Sequence, residues 1–161
     1  MKATSRLLAA GAAAAAAVLL AGTGATAAGQ PDQAASSEPS GVEDFNYPQA
    51  DKIFKETGLL LKRGDGHIVL ADCDSAPGLV EVFARDKGKF CFRVTGKQGY
   101  LSMELDRVYA IRGNDFALRA NMKVKERSVS FDVAKNTWTA VGETADPNNR
   151  DHTLLELITT K

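Results

Sequence analysis

Two histidines, two cysteines and several groups of aspartates are the residues of this 161-residue chain whose chemistry goes beyond packing. His67 stands near Asp65, Asp72 and Asp74, and His152 stands near Asp146 and Asp151. A transition-metal site needs at least three converging ligands, and neither group follows a recognised ligand spacing. The stretches ADCDS (71–75) and ADPNNRD (145–151) are rich in hard oxygen donors. Calcium accepts carboxylates and carbonyls in flexible geometry, so Asp72, Asp74 and Asp146 are the candidate calcium ligands, and no other cofactor is expected. Asp-Pro-Asn-Asn is equally an ordinary turn, because Asx side chains bond their own backbone.

Catalysis by a nucleophile requires a base beside a positioned hydroxyl or thiol. The chain has no Gly-X-Ser-X-Gly elbow or comparable signature, and Glu104 and Asp106 fall on the polar phase of their segment. A non-catalytic protein is therefore the primary expectation. Sugar-binding sheets present exposed rings, because the apolar face of a pyranose stacks on them, and Tyr100, Tyr109 and Trp138 are the candidates. The opposing reading puts Trp138 in the core and the tyrosines at sheet edges. A further alternative is a small secreted enzyme or a proteinase inhibitor, with Ser75-Ala76-Pro77-Gly78-Leu79 as a loop held rigid by a disulfide. Arg63-Gly64-Asp65 matches a cell-adhesion tripeptide, but Asp-Gly between apolar runs is itself a hairpin signal, which accounts for the residues without a receptor.

The amino terminus bounds the compartment. Lys2 and Arg6 precede an apolar run from Leu7 to Leu20 and then Ala25-Thr26-Ala27, the pattern of a secretory signal peptide covering 1–27, with cleavage after Ala27 or Ala28. That run is short for a span and no second one follows, so no membrane span is expected. Without residues 1–27 the 20 basic residues fall to 18 against 20 acidic, a net charge of −2. Such a balance, with the signs interspersed, argues against a nucleic-acid partner. Secretion places Cys73 and Cys91 where disulfides persist. A bridge closing about 18 residues stabilises by roughly 3 kcal/mol through the entropy of the unfolded chain. Asp72 and Asp74 oppose a reactive thiolate at Cys73.

The remaining residues must position these groups. Residues 28–45 are small, polar and Pro-containing, a flexible leader. Ala50, Ile53, Phe54 and Thr57 have helical spacing with Gly58 as a stop, although a strand over Lys52 to Glu56 fits the same stretch. From Leu59 the period becomes two. In FALRANMKV, Phe116, Leu118, Ala120, Met122 and Val124 share one face. Phe90, Phe92 and Val94, then Leu101, Met103 and Leu105, then Val129, Phe131 and Val133 repeat the pattern, with turns at GKQG, RGND, VKE and AKNT. About nine short strands over 46–161 predict an all-β domain, an antiparallel β-sandwich in preference to a closed barrel.

The segments GKQGYLSMELDRVYAIRG, NTWTAVGE, Asp146-Pro147 and LLEL resemble a group of small secreted actinobacterial proteins, over about Leu59 to Leu157. The Ala-rich amino terminus fits that source. The resemblance implies turn roles for Gly96, Gly99 and Gly113 and packing roles for Leu101, Leu105, Trp138, Leu155 and Leu157, and it implies no activity. The functional expectation is a secreted, extracellular, non-catalytic binding or cell-envelope-associated module, with cell-wall or other polysaccharide as the partner class.

Overall fold

In the segment 116–124 the residues Phe116, Leu118, Ala120, Met122 and Val124 are all at most 5% exposed, so strict alternation buries one complete face. This segment forms one strand of a two-sheet sandwich. The computed structural model describes residues 45–161, and the expected signal peptide and nearly all of the expected leader lie outside them. The elements in chain order are β1 (Phe45–Asn46), α1 (Ala50–Thr57), β2 (Leu60–Gly64), β3 (Ile68–Ala71), β4 (Val80–Ala84) and β5 (Gly88–Val94), then β6 (Gln98–Asp106), β7 (Val108–Arg112), β8 (Ala117–Val124) and β9 (Arg127–Val133), and finally β10 (Trp138–Ala140), α2 (Gly142–Ala145) and β11 (Thr153–Thr160).

A six-stranded sheet has the order β1-β2-β6-β11-β8-β9, and a five-stranded sheet has the order β10-β7-β4-β5-β3, with antiparallel pairing throughout. Leu61, Leu101, Met103, Met122, Leu154 and Leu157 of the first sheet meet Ile68, Val80, Val82, Phe90, Phe92 and Ile111 of the second in one core. Each such side chain contributes roughly 1.5–3 kcal/mol by leaving water. The sheets are open, so the sandwich holds and the barrel does not. The β8–β9 hairpin closes through Lys125 and Glu126, and the β4–β5 hairpin turns at Asp86, where φ is 62°.

Helix α1 occupies the stretch that also reads as a strand. Gly58 ends it at φ 72°, with its N–H bonded to the Phe54 carbonyl, and Ile53 packs against the core.

The turn after Gly64 corrects the hairpin expectation, because β2 and β3 belong to different sheets. The Asp65 side chain explains the geometry. It accepts the backbone N–H groups of His67 at 2.9 Å and Tyr100 at 3.0 Å, while the Thr95 N–H reaches the His67 carbonyl at 2.9 Å. The chain is thereby fastened to β6 on one side and to the end of β5 on the other, and it crosses between layers instead of doubling back. The Asp65 carboxylate, 7% exposed, is committed to this corner, and Arg63 and Gly64 before it belong to β2, so the tripeptide is the end of a strand and the start of the crossing.

Two glycines show how closely these layers approach. Gly96 sits at φ 70°, where a Cβ would stand 2.6 Å from the His67 ring. Gly99, expected in a turn, lies within β6, and its missing Cβ makes room for Thr159 Oγ1 and Ile68.

Candidate functional site

The five-stranded sheet carries an aromatic group on its outer face. In β4, Val80, Val82 and Ala84 point into the core, so Glu81 and Phe83 point outward. Phe83 packs in a T-shaped pair with Trp138 from β10 at a centroid distance of 4.7 Å and an interplanar angle of 70°. It meets Tyr109 from β7 at 6.3 Å and 68°. Both geometries are the edge-to-face arrangement that aromatic quadrupoles favour. Trp138 is 51% exposed, and its indole N–H makes no hydrogen bond among the described residues.

A register irregularity in β7 assembles this group. Phe83 pairs with Ala110, and Ala84 pairs with Val108, which leaves Tyr109 as an extra residue on that strand. Simple alternation would set Tyr109 opposite Ala110. The bulge instead leaves both half-buried on the side away from Val108 and Ile111, with Tyr109 against Phe83 and Arg85.

Charged side chains frame the rings. The Arg85 guanidinium lies 5.0 Å from the Tyr109 centroid, a cation–π contact, and donates to Glu143 at 2.6 Å. The hydrogen bond to Glu143 and the negative charge of that carboxylate hold Arg85 more firmly protonated than a free arginine. Glu81 accepts from Arg112 at 3.2 Å and stands 3.6 Å from the Lys89 ammonium. Arg112 pairs across from Trp138 on one side and Glu81 on the other, and Lys89 pairs across from Phe83. Beyond Lys89 the same face sinks into a cleft of about 840 Å³ lined by Val69, Ala71, Cys73, Cys91 and Arg93.

The disulfide Cys73–Cys91 is formed. It ties the segment after β3 to the outer face of β5 and so builds one wall of the cleft. The neighbouring loop, 75–79, is fastened by the Ser75 N–H to the Asp72 carbonyl at 3.0 Å and by the Asn114 amide to the Gly78 carbonyl at 3.1 Å.

Of the ring candidates, Tyr109 and Trp138 come together with Phe83, whereas Tyr100 belongs to the other sheet. Its hydroxyl donates to Glu156 at 3.2 Å, and the network continues through Asn121 to Ser130. The core reading of Trp138, implied by the resemblance as well, is corrected by its exposure: its ring packs on Phe83 on the outer face.

The proposed calcium ligands are not brought together. Asp72 and Asp74 are exposed on the segment after β3, while Asp146 lies in the turn after α2. There its carboxylate accepts Arg150 Nε at 2.5 Å and Nη2 at 2.9 Å, along with the backbone N–H groups of Asn148 and Arg150. The bidentate Arg150 contact, aided by those backbone bonds, holds the Asp146 carboxyl well below the usual carboxylate range. Its stabilising effect is therefore complete above the ordinary carboxylate value and is lost only as pH falls towards the depressed one. Among the described residues no group of three or more His, Cys, Asp or Glu side chains is arranged to hold a metal ion. His67 faces Asp65 at 3.4 Å, and His152 Nδ1 lies 2.8 Å from the Arg150 carbonyl.

Neither family models nor curated proteins match this chain. The described residues include no helix long and apolar enough to cross a membrane.

Proposed function

We propose that the protein is a secreted, non-catalytic binding module of the cell envelope, and that it holds polysaccharide on the outer face of its five-stranded sheet. One observation carries this reading. The Trp138 ring is half exposed, yet it is packed edge-to-face with Phe83, which in turn packs edge-to-face with Tyr109. A ring fixed this way presents an apolar face together with a free N–H donor. That combination suits a pyranose, whose C–H face stacks while its hydroxyls seek polar partners. Fixing the ring before binding also reduces the ordering cost that binding would otherwise carry. The amino-terminal pattern, the disulfide and the resemblance to secreted actinobacterial proteins support the compartment.

The test is co-sedimentation with isolated cell walls and insoluble polysaccharides. Trp138→Ala should weaken binding at least tenfold, the scale of about 1.4 kcal/mol lost from a stacking contact. Tyr100→Phe on the opposite sheet should leave binding intact. Binding that survives Trp138→Ala unchanged would rule the platform out.

A further inference from the structure

The charges around the platform narrow the class of polysaccharide. Glu81 and Glu143 are sunk beneath the cations they pair with. Their side chains are 18% and 20% exposed, against 48% for Arg112, 38% for Lys89 and 44% for Arg85. Arg93 adds an exposed guanidinium that makes no ion pair among the described residues. Around the rings a ligand therefore meets ammonium and guanidinium groups first, while at the β4–β5 turn Asp86, 75% exposed, stands outside Arg107 at 42%. The opposite sheet has the reverse order, with Asp132 78% exposed over Arg119 at 57%, and Glu126 93% exposed over Lys123 at 46%. Since exposed charges act across roughly 8–10 Å before salt screens them, the outermost layer decides the sign an incoming group feels. Arg112, Glu81 and Cys91 lie level across β7, β4 and β5, with Lys89 and Arg93 two residues to either side of Cys91 on β5, so the three cations surround Glu81, while Asp72, Asp86 and Glu56 also line the cleft.

We propose that the platform takes an acidic polysaccharide bearing carboxylates, a uronate polymer. One sugar would stack on Trp138, and the carboxylates of its neighbours would lie along Arg112, Lys89 and Arg93. The inference rests on the platform reading above and adds the ligand's charge. The molecule already shows the chemistry on its own scale, because Glu81 is a carboxylate seated between Arg112 and Lys89. Guanidinium groups match the planar pair of carboxylate oxygens, and the exposed parts of these side chains remain open to a second such group.

The experiment compares polygalacturonate with its fully methyl-esterified form, which has the same backbone without the charge, by affinity electrophoresis of the oxidised protein. The expected result is that esterification weakens binding at least tenfold and that added salt does the same. Arg93→Gln, at an exposed position that leaves the core untouched, should weaken binding of the acid form and not of the ester. Equal binding of the two forms would overturn the acidic assignment and leave the platform standing. Polygalacturonate binding that is indifferent to both Arg93→Gln and Trp138→Ala would lie elsewhere, and would overturn the platform and this inference together. Preference for a phosphodiester-linked glycan over polygalacturonate would overturn the choice of carboxylate. If no polysaccharide, acidic or neutral, shows binding that depends on Trp138, the platform reading itself fails and this inference fails with it.

Discussion

The two outer faces of the sandwich use the same residue types to opposite ends. On the six-stranded sheet a tyrosine hydroxyl, a glutamate, an asparagine and a serine form one chain across four strands, from Tyr100 through Glu156 and Asn121 to Ser130. Each member satisfies its neighbour, so the face is internally complete. On the five-stranded sheet the rings pack against one another, while the indole N–H of Trp138 is left over and the cations stand above their carboxylates. Polar groups paired within the molecule stabilise the fold modestly and have little left for a ligand. A face whose rings brace one another and whose donors remain open fits the binding role proposed above. The lesson is that exposure alone does not mark a site. Tyr100 and Tyr109 are both half-buried, and only their partners distinguish them.

The strongest way to break this contrast is to remove the disulfide. Replacing Cys73 and Cys91 with serine frees an 18-residue loop, and the expected loss is about 3 kcal/mol of stability, read from the urea midpoint. Because the bridge forms a wall of the cleft on the five-stranded face, polysaccharide binding should weaken even where the variant remains folded. A variant with native stability would show that other contacts already hold the segment after β3.

A smaller effect is expected on the opposite face. Glu156→Ala removes the acceptor of both the Tyr100 hydroxyl and the Asn121 amide, at 3.2 and 2.8 Å. The expected cost is about 1–2 kcal/mol, since the half-buried Asn121 amide and Tyr100 hydroxyl lose this acceptor. Binding should be unchanged, and that split between stability and binding is what separates the two faces. A loss of binding with stability intact would move the ligand to the six-stranded sheet.

The strands with unbroken alternation were legible in the sequence, because period two specifies which face is buried whatever the neighbours are. Phe116 to Val124 is the clearest case, and all its inward residues are in place. The candidate site was legible only in part. Trp138 and Tyr109 lie 29 positions apart in the chain. Phe83, the ring that joins them, was available from the pattern Val80-Glu81-Val82-Phe83-Ala84, where a phenylalanine occupies the polar phase. What could not be read was that β10, β7 and β4 are adjacent, or that β7 bulges at Tyr109, since register is fixed by pairing across distant segments. Likewise, Asp-Gly signals a tight turn correctly, but whether that turn joins two strands of one sheet or passes between sheets depends on what Asp65 grips. Here it grips the backbone of Tyr100, 35 residues away.

The smallest expected effect has the opposite sign. Thr159 is 1% exposed on the inward side of β11, and its hydroxyl has no hydrogen-bond partner among the described residues, lying instead where Gly99 and Ile68 crowd the same space. Burying a hydroxyl without a partner costs about 1–3 kcal/mol by mutational measures. Valine has almost the same shape and no such group. Thr159→Val should therefore raise stability by about 1 kcal/mol and leave polysaccharide binding alone, because the side chain touches neither outer face. Gly99→Ala is the counterpart, since its new methyl would fall 2.6 Å from Thr159 Oγ1 and 2.7 Å from Ile68, and it should destabilise. If Thr159→Val lost stability instead, the hydroxyl would have a partner in solution. The tight contact between Gly99 and its ladder partner Thr159 would then be a polar junction within the six-stranded sheet and not a packing constraint alone.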